Sequence, residues 1–325
     1  MKKKMAIGVI AGMVVVSLVI ALVVARRGAP GEEGRYGAAK GAVVALVHVE
    51  GVISGGRGEV GLLGATSGSE AVIARLREAE KDPSVKALVL RVNSPGGSAA
   101  ASQEIGEAVK RVKAAGKPVV VSMGDAAASG GYWISAGADK IVANPATMTG
   151  SIGVIMETMN LVGLYGKVGV KREAIKSGPF KDIGSPSREM TPEERAILQG
   201  MINDIYEQFV RVVAEGRKLP PDTVRQYADG RVFTGSQAAK IGLVDELGDL
   251  NQAVKLAGKL AGIKGEPRVR EIERRRTAFD VLLSGGVGSS WVGEAMTWLN
   301  LSRGIVWQDS GQVPELLRSG LESPR

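Results

Sequence analysis

The sequence contains no cysteine and only one histidine, His48. Disulfides, thiol nucleophiles and cysteine-ligated metals are therefore excluded, as is a metal site built from several histidines. Aromatic residues make up 4% of the chain, so Val, Ile, Leu and Ala must fill the core. They can do so, because 44% of the 325 residues are apolar, enough for one or two domains. Lys and Arg outnumber Asp and Glu by 42 to 34, a formal net charge of +8. That excess is spread along the chain, and part of it flanks the N-terminal apolar run, which suits work beside anionic lipid. Basic and aromatic residues do not interleave, and no nucleic-acid partner is expected.

The run from Met5 to Ala25 carries no charge and lies between Lys2-Lys3-Lys4 and Arg26-Arg27. As a helix it reaches roughly 30 Å, the thickness of a bilayer core. It is longer than the apolar core of an ordinary signal peptide, and no small-x-small cleavage site precedes Arg26. The reading is a transmembrane anchor over 1–27 with its lysine-rich end in the cytoplasm, so the body lies on the extracytoplasmic side of the cell membrane. Residues 28–41 read as a Gly-rich linker, 42–265 as the body, and 266–325 as a C-terminal segment. That last segment, with Trp291, Trp298 and Trp307, is flexible or faces the membrane or another subunit.

Within the body, short apolar runs alternate with helical patterns. Strands are expected at Ala42–Val49, Ala87–Val92, Pro118–Met123 and Lys140–Ala143. A helix capped by Ser69 follows a mobile Gly-rich surface loop at 51–68, and another helix runs from Ala99 to Ala115. The pattern Gly56-Arg-Gly-Glu-Val-Gly61 matches a dinucleotide fingerprint but does not open a helix, so that reading is rejected. Residues 168–175 look extended. Thr191-Pro-Glu-Glu194 is a capping box opening a long amphipathic helix with Ile197, Met201, Ile205, Phe209 and Val212 on one face. Strand–helix alternation with short connections means βαβ units and a largely parallel sheet. The turns at 93–98 and at Ser129 then open at the same, C-terminal, edge of that sheet.

Ser129 lies between a buried strand and a helix start. There its hydroxyl is held out of the sheet and free backbone N–H groups point at whatever it attacks. Gly130 and Gly131 leave room for a substrate backbone. A serine nucleophile needs a base. His48 sits inside a strand with no evident acidic partner and reads as structural. The alternative is a lysine whose charge is disfavoured by burial. Lys176 and Lys181 stand out because they occupy a Gly/Pro loop, but the residues alone do not choose between them.

Four motifs in order, Ser94-Pro-Gly-Gly97, Ala128-Ser-Gly-Gly-Tyr132, Thr149-Gly-Ser-Ile-Gly-Val154 and Lys176-Ser-Gly-x-x-Lys-Asp182, resemble bacterial signal peptide peptidase A, the protease IV family, in its short form. The likeness runs from about Ala42 to Gly262. It implies a crotonase/Clp protease-like α/β fold and a membrane-anchored serine endopeptidase that degrades residual signal peptides without a cofactor or metal. It also implies roles: Ser129 as nucleophile, Lys181 as general base, Ser151 as the lysine's hydrogen-bonding partner, and the N–H groups of Gly130 and of Gly97 or Gly96 as the oxyanion hole. A ring-like homo-oligomer follows too, with serine and lysine coming from one subunit or from neighbours. Two other readings of the chain remain: an acyl-CoA-processing enzyme on the same fold, and a non-catalytic membrane scaffold that binds hydrophobic segments.

Overall fold

A computed structural model describes residues 42–58, 60–61 and 64–273. The expected anchor over 1–27, the linker and the three tryptophans beyond 290 lie outside the described residues. Among the described residues, no helix is long and apolar enough to cross a membrane.

The central sheet has eight strands, and its main path is formed by β1 (Val43–Glu50), β5 (Val85–Ser94), β6 (Val119–Ala128), β7 (Lys140–Ala143), β10 (Glu246–Leu247) and β11 (Arg268–Glu271). Their spatial order is β10-β7-β6-β5-β1-β11, and every pairing along it is parallel. A parallel sheet survives only with both faces covered, and the burial pattern follows. Val43, Ala45, Val47 and Val49 face one layer of helices. Val44 and Leu46 face the other way, under Ala253, Val254 and Ala257.

The first layer holds α1 (Ser69–Lys81), α2 (Ala99–Ala114), the short α3 (Gly130–Ala136) and the second half of the long α5 (Pro192–Arg217). The opposite layer is α8 (Leu250–Leu260). Tyr132 on α3 is fully buried, and its hydroxyl donates to the Leu243 carbonyl at 2.9 Å. Burial pushes its phenol well above the ordinary range, against the opposing pull of the Arg217 charge.

Two departures from regular geometry place the site. β5 and β6 pair in register to Val92↔Met123, then resume at Ser94↔Ala127, so β6 bulges at residues 124–126. Asn93 spans the bulge: its Oδ1 accepts from Ala126 N at 3.1 Å and its Nδ2 donates to Asp125 at 3.2 Å. Thr147 and Thr149 hydroxyls donate to the carbonyls of Gly124 and Ala127, each at 2.7 Å. Beyond the bulge, β6 trades β7 for β8 (Met148–Gly150), which pairs antiparallel with β9 (Val232–Thr234).

The structure revises several expectations. Part of the 51–68 loop is folded: β2 (Val52–Ser54), β3 (Val60–Gly61) and β4 (Gly64–Gly68) form a small sheet, because glycines let its backbones approach closely. Gly68, not Ser69, is the N-cap of α1, and Ser69 Oγ donates instead to Glu104 at 2.7 Å. Residues 168–175 form no strand, since no neighbouring strand offers them a ladder. Residues 268–271, expected in the C-terminal segment, are strand β11 against β1. On α5, Phe209 is buried but Ile197 and Met201 are 39% and 49% exposed. These two side chains of its first half are left exposed to solvent. The capping box at its start is present as expected.

Candidate active site

Ser129 has φ 52°, a left-handed backbone that is strained for a residue with a side chain. The turn holds it there from both sides: its N–H donates to the Gly150 carbonyl, and its own carbonyl accepts from Trp133 N, each at 2.9 Å. α3 begins at the next residue, so the Gly130 N–H belongs to the first helical turn and has no acceptor among the described residues.

The 93–98 turn converges on the same place. Gly96 and Gly97 have φ of 108° and 152°. A methyl group on Gly96 would lie 2.7 Å from Ser129 Cβ, and one on Gly130 would lie 3.2 Å from Gly97 N. Both turns must therefore be glycine. Parallel strands put their C-terminal ends on one side, which is why residues more than thirty apart in sequence meet here.

Ser129, Gly130 and Ser151 line one pocket of about 750 Å³ with Trp133, Tyr206 and Phe209. Trp133 and Phe209 rings pack with centroids 4.9 Å apart. Ser151, like Ser129, has a positive φ, 49°, and its N–H donates to the Arg231 carbonyl at 2.8 Å. The largely apolar walls suit an apolar ligand.

The lysines fall elsewhere. Among the described residues, no lysine lines this pocket. Lys181 is exposed on a loop, and among the described residues its ammonium makes no hydrogen bond or ion pair; its backbone N–H donates to Gly178 O at 3.3 Å. Lys176 is tied to Asp182 Oδ1 at 2.5 Å and to the Pro179 carbonyl at 3.1 Å. Arg188 grips Asp182 with two bonds of 2.8 Å and reaches Glu194 Oε2 at 2.8 Å, so the Lys181 loop is lashed to the start of α5. Hydrogen bonds from Arg188 and then Lys176 hold the Asp182 carboxyl well below its usual range. The Arg188 bond, with Thr191 N–H, brings Glu194 down to about 2. No sequence signal marked Arg188 or Asn93: Arg188 meets Asp182 and Glu194 only through the irregular fold of the loop between them, and the partners of Asn93 lie on another strand.

His48 does have acidic partners: Glu50 at 3.4 Å and Glu271 on β11 at 3.1 Å. The second was hidden because β11 was not read as a strand. His48 is not among the pocket residues.

A strained serine at a strand-to-helix turn, flanked by converging backbone donors at the mouth of a parallel α/β sheet, is the arrangement of a serine hydrolase. Comparison with known proteins narrows the class. The family model "Peptidase family S49" matches residues 111–264, and "Clp protease" matches 64–152. A candidate protease of Synechocystis is 42% identical over 241 residues, covering 71% of this chain and 86% of its own. Protease 4 of Salmonella typhi is 39% identical over 249 residues, 77% of this chain and 39% of that one. A sequence named as signal peptide peptidase SppA in Enterococcus faecium is 38% identical over 233 residues, 70% of this chain and 64% of that one. The chain thus spans well under half of protease 4. It belongs to peptidase family S49, with a Clp protease-like α/β fold, and is a serine peptidase.

Proposed function

We propose that this chain is a membrane-anchored endopeptidase that cleaves apolar segments left in the membrane, signal peptides above all, through a Ser129–Lys181 dyad. The observation that carries the reading is Ser129 at φ 52° between the Gly97 and Gly130 amides, in one pocket with Ser151. The neutral amine of Lys181 takes the Ser129 proton, and the freed oxygen attacks the scissile carbonyl. The amides of Gly130 and Gly97 hold the oxyanion. Lys181 then protonates the departing amine, and water clears the acyl-enzyme. Ser151 orients the lysine. The apolar pocket walls and the relatives named signal peptide peptidase support the substrate class. The uncharged run at 5–25 supports a single-pass anchor with the body, 42–271, outside the cytoplasm.

The base comes from a neighbouring subunit. Two observations support this: no described lysine lines the pocket, and Ile155, Met156 and Met159 before the lysine loop and Ile197 and Met201 after it are exposed. A second copy laid on this arm would cover them and bring Lys181 to Ser129. The test is hydrolysis of a fluorogenic apolar peptide from pH 5 to 10 by the detergent-solubilised full chain. Wild type should turn over, with Ser129→Ala and Lys181→Ala each reduced at least about a thousandfold. Near-wild-type hydrolysis by either variant overturns the dyad.

A further inference from the structure

The peptide between Gly96 and Gly97 is fixed by two groups outside the reacting set. Ile53 on β2 bridges it: Ile53 N–H donates to the Gly96 carbonyl at 2.8 Å, and Ser98 N–H donates to the Ile53 carbonyl at 2.9 Å. The peptide is trans, so its Gly97 N–H points away from β2. That is the side where Ser129 and Gly130 lie. Gly97 N–H has no acceptor among the described residues. The Gly96 N–H is different: it donates to Ser94 Oγ at 3.1 Å, inside the fold, and Ser94 is fully buried.

The geometry points to Ser94 as a positioning residue of the oxyanion site, which rests on the peptidase reading above. Its hydroxyl oxygen occupies the Gly96 N–H and braces the turn against rotation. With Ile53 holding the other end, one amide of the pair, that of Gly97, is presented beside Ser129. Without the Ser94 acceptor, a buried N–H loses its partner. Two glycines in series, each with wide φ freedom, then let the peptide turn to satisfy it. The Gly97 donor is no longer held where negative charge develops. Because an oxyanion donor acts in the transition state, its misplacement lowers kcat and leaves KM nearly unchanged.

The experiment uses the full-length solubilised protein and three variants, Ser94→Ala, Ser94→Cys and Ser94→Thr. The readouts are kcat and KM on an apolar peptide substrate, and the inhibition constant of a matching peptide aldehyde, whose adduct with a serine carries the tetrahedral oxygen. Ser94→Ala is expected to lose about tenfold or more in kcat at constant KM, with aldehyde affinity falling in parallel. Ser94→Cys keeps the size but is a poor acceptor and should behave like Ser94→Ala. Ser94→Thr keeps the acceptor and should recover most of the rate. Should Ser94→Ala not fold, the Cys and Thr pair still decides. Wild-type kcat and aldehyde affinity in Ser94→Cys overturn the positioning role while leaving the peptidase reading intact. Absence of turnover in wild type overturns both.

Discussion

Holding a serine at φ 52° costs on the order of 1–3 kcal/mol, and at Ser129 two backbone hydrogen bonds across the turn sustain it. The neighbouring glycines are equally constrained by space. A methyl on Gly130 would lie 2.4 Å from the buried Ser102 Oγ, whose hydroxyl donates to the Ser98 carbonyl at 2.9 Å. Gly130→Ala therefore forces either Ser102 or the first turn of α3 to move, and the Gly130 amide moves with it. We expect kcat to fall about a hundredfold, the usual effect of losing one oxyanion donor. Adding Ser102→Ala removes the nearest obstruction and should restore part of the rate. A double variant no better than the single one would show that the defect lies elsewhere.

At the scale of elements, the lysine loop is held by charge and not by packing. Arg188 joins Asp182 on that loop to Glu194 in the capping box of α5. Glu194 titrates at about 2 in the fold, below its ordinary 4.5. A carboxyl depressed by folding adds stability in full above its unfolded pKa, and that stability is lost as pH falls toward the folded value. The melting temperature should therefore drop between about pH 4.5 and 2. In Glu194→Gln it should start lower at neutral pH and fall less steeply through that window; Asp182, depressed in the same direction, leaves some slope behind. Parallel melting curves for wild type and variant across this range would exclude Glu194 as the source.

At the scale of the whole molecule, the proposed dyad would make assembly part of the chemistry, because no described lysine lines the serine pocket. A head-to-tail ring places the same lysine loop against every neighbouring serine. Ser129→Ala and Lys181→Ala subunits should each be inactive alone, yet a co-assembled mixture would contain interfaces where an intact serine meets an intact lysine. Random equal mixing should restore about a quarter of wild-type activity, since each half-site is intact in half of the subunits. If the two remain inactive after verified co-assembly, the lysine acts within its own subunit and the 160–190 arm must fold back.

Local chemistry made much of the site readable in the sequence. Only glycine suits the φ at 96 and 97 and the crowding at 96, 97 and 130, so the motifs 94–97 and 128–132 announce their turns. The apolar strands, Ser98 as the cap of α2 and the Thr191 capping box likewise depend on neighbours within a few residues. Composition excluded thiol and multi-histidine chemistry outright. What depends on distant partners was decided by the tertiary structure. β11 carries the charge-dense Arg268–Glu271 and is a strand because β1 offers it a parallel ladder. The Glu271 partner of His48 and the Asn93-bridged bulge exist only once separate segments are brought together. The choice of Gly97 over Gly96 as the free donor belongs here too. Either glycine can turn its N–H either way, and the Ile53 and Ser94 hydrogen bonds, made across the fold and within the buried turn, set the direction.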